Sequence, residues 1–308
     1  MILAATEMNL TQFEAALEGA GYISEREENI AITAFLAVQL GKPLLVTGAP
    51  GVGKTEIAKA LSRVFKAPLI RLQCYEGLDE TKALYEWNYQ RQLLKIQMDK
   101  ENMREEDLFS REYLLARPLL KALLSKERAV LLVDEIDKTD MEFEAFLFEL
   151  LGEFQITIPE MGTITADQPP IVILTSNMER ELSDGLKRRC IFLHINPPTI
   201  TKEIRILSAK VPELPAKLAL QVARALAVLR ENILLNKMPS ISETLDWAKA
   251  LLVMGKNELD PAWVKATLTL LLKSKEDVDT FEREMGAERL LSKMPPARGE
   301  GHQHDRGK

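Results

Sequence analysis

The residues best suited to do chemistry lie in a glycine-rich segment, GAPGVGKT, at Gly48–Thr55. Its spacing is G-x-x-x-x-G-K-T, and it lies between the apolar run KPLLVTG and the helix-like EIAKALSRVF. Glycines let a backbone wrap a polyphosphate, and amides at a helix N-terminus point toward the anion. We expect Lys54 to contact the β- and γ-phosphates and Thr55 to ligate Mg²⁺. The predicted phosphate cradle consists of Gly48, Ala49, Pro50, Gly51, Val52, Gly53, Lys54, Thr55 and Glu56.

A second group of chemically able residues ends the apolar run in LLVDEIDK, about 80 residues after the glycine-rich loop. Acids at the end of a buried strand lie where an open α/β sheet binds its ligand. We expect Asp134 to hold Mg²⁺ through water, and Glu135 to orient or deprotonate an attacking water. Asp137 and Asp140 are interpreted as helix-capping acids.

The next apolar run, IVILTSN, also ends in polar residues. Asn177 is the residue that we expect to reach the γ-phosphate or the attacking water. The alternative is that Asn177 is an ordinary turn asparagine, a common role for this residue type.

Two adjacent arginines, Arg188 and Arg189, occur in DGLKRRCIF, just before another apolar run. One interpretation is that they are cations favoured at a helix C-terminus. The other is that they reach the γ-phosphate bound by a neighbouring subunit. The residues alone leave both interpretations open.

The hydrophobic pattern predicts the elements that position these residues. Five apolar runs are typical of buried strands, and the pattern between them is mostly helical. The predicted strands are KPLLVTG, residues 67–74, 129–133, 171–177 and 190–195. Helices are predicted over residues 24–40, 105–126 and the segment MEFEAFLFELLGEF. The prediction is an α/β fold with a parallel five-stranded sheet.

The domain organisation follows from a change of pattern at Asn196-Pro197-Pro198, after which the chain is helical. We expect a nucleotide-binding domain over residues 1–197, with an insertion at about 75–126 and a hairpin at 155–166. A helical lid domain is predicted over residues 198–292 and a disordered tail over 293–308. In that tail, His302 and His304 are interpreted as solvated rather than metal-binding.

Bulk composition excludes several classes of protein. The net charge of −6 argues against a dominant nucleic-acid footprint. Two cysteines do not make a disulfide scaffold, which favours a reducing compartment. No apolar stretch is long enough to span a bilayer, and the N-terminal residues do not resemble a signal peptide. The expected location is the cytoplasm.

The order of these parts resembles that of the AAA+ ATPases. The insertion and the hairpin resemble the helix-2-insert branch, and within it the MoxR family. Three segments look most like its CoxD-like members: YEGLDETKALYEWNYQRQLL, GEFQITIPEMGTI and LKRRCIFLHINPP. The resemblance covers residues 20–255.

The resemblance implies a Mg²⁺-dependent ATPase that forms a ring, with six subunits expected. It gives Arg189 the arginine-finger position and makes Arg188 an adjacent candidate. It also implies a chaperone-like role in the maturation of metalloenzymes of the molybdenum type. The partners implied are a protein client and a separate protein with a von Willebrand factor A domain.

One position departs from the resemblance. Related proteins usually carry a sensor 2 arginine early in a lid helix, where this chain has Ser242 in PSISETLDWAKAL. Lys249 lies too far along that helix to replace it, so sensor 2 is unassigned. Adenine is favoured over guanine because the only Asn-Lys pair, in NKMP, lacks the aspartate of a guanine-reading motif.

Two alternatives stay open. One is a nucleic-acid motor or clamp loader of the same superfamily, and the other is a monomeric kinase that phosphorylates a small molecule.

Overall fold

The computed structural model describes residues 8–25, 28–98 and 108–294 of the chain. Two compact units divide between Asn196 and Pro197. The strands, all in the first unit, are β1 (Leu44–Thr47), β2 (Leu69–Gln73), β3 (Tyr85–Trp87), β4 (Leu114–Ala116), β5 (Val130–Asp134), β6 (Gln155–Ile158), β7 (Gly162–Thr165), β8 (Ile171–Ser176) and β9 (Ile191–His194). The helices of this unit are α1 (Leu10–Gly19), α2 (Ile30–Gln39), α3 (Lys54–Phe65), α4 (Glu80–Leu84), α5 (Tyr89–Met98), α6 (Pro118–Leu123), α7 (Met141–Glu153) and α8 (Asp184–Arg189). A 3₁₀ turn, Ile136–Lys138, lies between β5 and α7.

The first unit is built on a parallel sheet with the strand order β2-β5-β8-β1-β9. The central strands β5 and β8 are buried along their whole length, which is why their sequences are continuous apolar runs. Because all five strands run the same way, their carboxyl ends meet at one edge of the sheet. Thr47, Gln73, Asp134 and Ser176 therefore end neighbouring strands, and the predicted α/β fold is confirmed.

The two faces of the sheet carry separate apolar cores. Along β5, Leu131 and Val133 pack into one core, which includes residues of α6 and α7. Val130 and Leu132 pack into the other, which includes residues of α2 and α3. Side chains that alternate along a strand point to opposite faces, so this one strand supplies both cores.

The segment between β2 and β5 differs from its prediction. The helix predicted over residues 105–126 is wrong within the described residues, because Leu114–Ala116 forms a strand that pairs antiparallel with Tyr85–Trp87. Residues 105–107 of that prediction lie outside the described residues. A separate helix begins only at Pro118, where the fixed backbone of proline suits a first helical position. Trp87 is buried in this region and stacks edge-on against Tyr85 and Phe109, at centroid distances of 5.9 and 5.3 Å.

The helix predicted from Ser24 begins later. It starts at Ile30, after Asn29 in a left-handed conformation with φ 53°. It ends before Gly41, which has φ 62° and serves as the predicted stop. Residues 26 and 27, which the prediction included, lie outside the described residues.

The hairpin before β8 is formed by β6 and β7, which pair antiparallel from Gln155 to Thr165. Cross-strand Thr157 and Thr163 share a hydrogen bond of 3.0 Å between their hydroxyls. The turn contains Pro159, Glu160 and Met161.

The second unit is helical. Its helices are α9 (Ile200–Lys210), α10 (Ala216–Asn232), α11 (Ile241–Val253), α12 (Pro261–Leu271), α13 (Lys275–Glu284) and α14 (Gly286–Lys293). Its core surrounds Trp247, whose indole N–H donates to Thr267 at 2.7 Å. Among the helices that the structure describes in either unit, none has the length and apolar character needed to cross a bilayer. The tail carrying His302 and His304 lies outside the described residues.

A buried ionic network holds three helices of the second unit together. Arg230 donates to both carboxylate oxygens of Glu203, at 2.9 and 3.0 Å. The Thr244 hydroxyl donates to the same carboxylate at 2.9 Å. Glu203 is fully buried, so its charge depends on these partners.

Candidate nucleotide-binding site

The glycine-rich loop joins β1 to α3 and depends on glycine for its path. Gly48 has φ 149°, and a Cβ there would lie 2.4 Å from the carbonyl oxygen of Ile195. Gly51 and Gly53 also have positive φ, at 75° and 97°. Only glycine fits at position 48 without a shift of the backbone. The positive φ values at positions 51 and 53 also favour glycine.

Helix α3 begins without a side-chain cap. Its N-cap is Gly53, whereas α7 begins at Asp140, which accepts from the amide of Phe143. The first amides of a helix have no partner inside the helix, and here no cap side chain serves them. The N-terminus of α3 therefore suits an external anion such as a phosphate.

Lys54 lies inside the loop. Its Nζ donates to the carbonyl oxygens of Gly48 and Ala49, at 2.8 and 2.9 Å, and to Oδ1 of Asn177 at 2.7 Å. Burial lowers the pKa of the Lys54 amine, and the nearby Asp137 opposes that shift. The structure thus brings Lys54 and Asn177 together, as the positions at the ends of neighbouring strands predict.

Asp134 is buried at the end of β5, with both carboxylate oxygens in use. Oδ1 accepts from the Thr175 hydroxyl at 2.5 Å, and Oδ2 accepts from Nε of Arg71 at 3.1 Å and from its Nη2. The Thr175 oxygen also accepts from the amide of Glu135 at 2.9 Å. Thr175 therefore links the two acids of the predicted site.

Glu135 has a left-handed backbone, with φ 60° and ψ 51°. Such a conformation costs a non-glycine residue roughly 1–2 kcal/mol. Its Oε2 accepts from Nε2 of Gln73 at 3.1 Å and pairs with Nζ of Lys138 at 2.7 Å. The contact with Glu135 raises the pKa of the Lys138 amine. Strain of this kind persists where the surrounding contacts fix the residue, and often at functional sites.

Asp137 has a role that the sequence interpretation missed. It does not cap a helix; its Oδ2 accepts from the backbone amides of Asn177 and Glu179, at 3.0 and 2.9 Å. It therefore holds the loop that follows β8. Its Oδ1 is buried and has no hydrogen-bond partner among the described residues. The capping role predicted for Asp140 is confirmed by its 2.8 Å bond from Phe143.

Arg188 and Arg189 occupy the last turn of α8 and are both exposed. The guanidinium of Arg189 stacks over the ring of Phe148, with its carbon 3.4 Å from the ring centroid. Within the described residues, neither arginine has a hydrogen bond or ion pair with Lys54, Asp134 or Asn177. The structure does not bring them into the cluster formed by the other predicted residues.

Thr55 and Glu56 are two further predicted residues, and Ser242 is the position left without a sensor 2 assignment. Thr55 is half-buried in the first turn of α3. The carboxylate of Glu56 pairs with Lys59 at 3.3 Å and with Arg63 at 3.4 Å along the same helix. In the second unit, Ser242 is exposed in the first turn of α11.

A divalent cation fits this site as a companion of a nucleotide rather than in a cage of its own. Within residues 8–25, 28–98 and 108–294, no group of three or more His, Cys, Asp or Glu could hold a metal ion. Mg²⁺ usually takes one or two protein oxygens and completes its shell with water and phosphate. The Thr55 hydroxyl and the Asp134 carboxylate are oxygen donors of that kind.

Sequence reasoning missed three residues of this cluster, Arg71, Gln73 and Thr175, and it missed the anchoring role of Asp137. One signal was present, since R-L-Q places polar residues at alternate positions near the end of a strand. That signal becomes informative only when the sheet order puts β2 beside β5.

Comparison with known proteins agrees with this architecture. Residues 43–190 match the family model described as the AAA domain of the dynein-related subfamily. An uncharacterised protein of Staphylococcus epidermidis is 28% identical over 164 residues, which is 51% of this chain and 57% of that protein. YojN of Bacillus subtilis, also uncharacterised, is 22% identical over 240 residues, which is 76% of this chain and 68% of YojN. The chain thus spans a little over half the length of the first of these curated relatives.

Solved structures of low sequence identity share the fold. A point mutant of Thermotoga maritima RuvB superposes with a TM-score of 0.52 at 18% identity, over 89% of this chain and 76% of that one. A second RuvB structure, described as a Holliday junction branch migration motor, superposes with a TM-score of 0.50 at 18% identity. The match covers 85% of this chain and 74% of that one. Residues 43–190 therefore match the AAA domain of the dynein-related subfamily, and the chain has the P-loop AAA+ fold of these structures.

Proposed function

We propose that the chain is a Mg²⁺-dependent ATPase that works as a ring, with each site completed by a neighbouring subunit. The observation that carries the proposal is the meeting of Lys54, Asn177, Asp134 and Glu135 at the carboxyl edge of one sheet. AAA domains of this fold are nucleotide-hydrolysing modules, which supports ATP as the substrate.

In the proposed reaction, the loop amides and Lys54 hold the β- and γ-phosphates. Phosphate oxygens replace the carbonyl oxygens of Gly48 and Ala49 as partners of Nζ. The same amine contacts Asn177, so phosphate binding is sensed directly at the end of β8. Thr55 and Asp134 would hold Mg²⁺, which when bound would neutralise charge that develops on the phosphate oxygens.

Glu135 is the proposed base. Its carboxylate accepts a proton from water as the water oxygen bonds to the γ-phosphorus. The bond from that phosphorus to the bridging oxygen breaks, giving ADP and inorganic phosphate. Gln73 and Lys138 hold one oxygen of Glu135, which limits the orientations available to it. Asn177 is positioned for the water or the γ-phosphate because Asp137 fixes its backbone amide.

Arg189 is the proposed arginine finger, and Arg188 is the adjacent candidate. Both are exposed on α8 and have no polar contact with the chain's own cluster, which supports action on another subunit. Stacking on Phe148 restrains the Arg189 guanidinium without using its N–H donors. Rings close through head-to-tail contacts, in which one face of a subunit meets the opposite face of the next.

The finer proposal is a hexamer that remodels a protein client, in the maturation of a metalloenzyme of the molybdenum type. It includes a partner protein with a von Willebrand factor A domain. The support is the resemblance of three segments to CoxD-like members of the MoxR family. The net charge of −6 favours a protein client over nucleic acid.

The first test is the molar mass of the Glu135→Gln variant in ATP and Mg²⁺, measured by light scattering on a sizing column. The expected result is a closed ring near six protomers. A monomer at all concentrations would contradict the proposed ring and the proposed role of Arg189 in trans.

The second test mixes two inactive variants. Lys54→Ala subunits keep Arg189 but cannot hold phosphate, whereas Arg189→Ala subunits keep a complete phosphate site. Their mixture should recover part of the ATPase activity, because an intact site then meets an intact arginine. The same mixture made with Arg188→Ala serves as the matched comparison and identifies which arginine acts. No recovery in either mixture, with both variants still forming rings, would contradict completion in trans.

The client and partner are tested separately. Glu135→Gln protein should trap them, and a pulldown should enrich a protein with a von Willebrand factor A domain. Stimulation of the ATPase by DNA without such enrichment would favour a nucleic-acid motor instead.

A further inference from the structure

The edge strand β2 places two polar side chains beside the acids of the candidate site. Arg71 and Gln73 are exposed, while Leu72 between them is buried. In the sheet register, Gln73 lies opposite Asp134 and Arg71 lies opposite Leu132. Residues two apart on a strand share a face, so Arg71 and Gln73 reach the same side of the sheet.

Arg71 binds one oxygen of Asp134 through two nitrogens. Nε donates to Oδ2 at 3.1 Å and Nη2 at 2.5 Å. Nη2 also contacts Oε1 of Gln73. The other oxygen of Asp134 accepts from Thr175, so the proposed metal ligand has no oxygen free of a protein donor.

The two partners differ sharply in exposure. The Asp134 side chain is 6% exposed, whereas that of Arg71 is 54% exposed. A buried carboxylate without a counter-charge is strongly unfavourable, so Asp134 needs a cation nearby. Arg71 can supply that cation and can also leave toward solvent.

A divalent cation at Asp134 would change this balance. Mg²⁺ brings its own positive charge and prefers oxygen ligands at short range. A guanidinium bound to the same oxygen would be repelled by that ion. Arg71 and Mg²⁺ therefore compete for one carboxylate.

We propose that Arg71 stands in for the divalent cation at Asp134 and is displaced when Mg²⁺ and nucleotide bind. Arg71 is thus a positioning residue that sets how much Mg²⁺ the site requires. The inference rests on the proposed function, because it takes Asp134 as the metal ligand.

The test measures the Mg²⁺ dependence of nucleotide binding in the full chain. Binding of a fluorescent ADP analogue is followed at fixed nucleotide while MgCl₂ is titrated. In Arg71→Met the half-saturating Mg²⁺ concentration should fall by about five-fold or more, since the competing charge is gone. Arg71→Lys keeps a positive charge but cannot make the two-nitrogen contact with Asp134. Its half-saturating Mg²⁺ concentration should lie between those of Arg71→Met and the wild type.

Arg117→Met is the matched control. Arg117 is an arginine of the same unit, 49% exposed, and ion-paired with Glu86. Its loss changes the net charge by the same amount without touching Asp134. The Mg²⁺ requirement of Arg117→Met should equal that of the wild type.

A second readout is thermal stability. Arg71→Met should melt at a lower temperature than the wild type, because Asp134 has lost its counter-charge. ADP and MgCl₂ together should raise the melting temperature of Arg71→Met by more than they raise that of the wild type. If Arg71→Met does not fold, the Arg71→Met/Asp134→Asn double variant removes both charges and should fold, and Arg71→Lys then decides the Mg²⁺ shift.

Two outcomes would overturn the inference while the proposed ATPase stands. One is a half-saturating Mg²⁺ concentration that is unchanged in Arg71→Met and Arg71→Lys. The other is a higher half-saturating Mg²⁺ concentration in these variants, which would mean that Arg71 favours metal binding. Wild-type protein that binds no ADP analogue at any Mg²⁺ concentration would overturn the inference together with the ATPase proposal.

Discussion

Replacement of Asp137 by alanine tests whether this residue, in the turn after β5, fixes the loop that follows β8. Asp137 accepts from two backbone amides, those of Asn177 and Glu179. A hydrogen bond to a charged group contributes roughly 1.5–3 kcal/mol. Two such bonds at a buried residue predict a loss of about 3–6 kcal/mol in the unfolding free energy of the first unit. Nucleotide hydrolysis should fall as well, because Asn177 loses its backbone anchor.

Asp140→Ala is the matched comparison, three residues along the chain. Asp140 makes one capping bond, and the loss of such a cap costs about 1 kcal/mol. Its hydrolysis rate should stay near that of the wild type.

The assay follows unfolding of the first unit by the reactivity of its two cysteines, Cys74 and Cys190. Pulses of a thiol reagent across a urea series give the unfolding free energy of this unit, and phosphate release gives the rate. Equal losses of stability and equal rates in Asp137→Ala and Asp140→Ala would refute the anchoring role.

Three further predictions concern other parts of the chain. Gly48→Ala should abolish nucleotide binding, measured with a fluorescent ADP analogue, because its Cβ would lie 2.4 Å from a backbone carbonyl oxygen. Burial raises the pKa of the Cys74 and Cys190 thiols to about 12, so above pH 9 the unfolded chain loses protons that the native chain keeps. The stability of the first unit should then fall by about 1 kcal/mol for each thiol between pH 9 and pH 10, and alanine at both positions should remove this part in urea titrations at the two pH values. Arg230→Met should destabilise the second unit by about 3–5 kcal/mol in urea unfolding followed by tryptophan fluorescence, and adding Glu203→Gln should recover much of that loss.

The fold was largely predictable because its strands are buried on both faces. A strand such as β8, Ile171–Ser176, has the sequence of an apolar run that ends in polar residues, whatever its neighbours. The insertion was harder to predict. Leu114–Ala116 is only three residues long and becomes a strand through pairing with Tyr85–Trp87, a partner far away in sequence. Local periodicity carries no information about such a pairing.

The candidate site was predictable where its chemistry is local and was missed where it depends on the sheet. Gly48, Lys54 and Thr55 form a motif within eight residues, so spacing alone brings them together. Arg71 lies 63 residues before Asp134 and meets it only because β2 is hydrogen-bonded to β5. Asp137 was interpreted together with Asp140 as a helix-capping acid, and its contacts with Asn177 and Glu179 follow only from the pairing of β5 with β8. The proposed role of Arg189 in trans depends on a neighbouring subunit, so it stays a prediction.

The left-handed backbone of Glu135 has a consequence for any attempt to make this protein more robust. Glycine adopts that conformation without the penalty that a side chain brings, so Glu135→Gly relieves the strain at the end of β5. A screen that selects only for heat resistance would therefore enrich a substitution that deletes the proposed base. Glu135→Gln, in contrast, keeps the same backbone penalty, which makes it the fairer inactive partner for comparisons with the wild type. At this position, selection for durability and selection for turnover favour different residues.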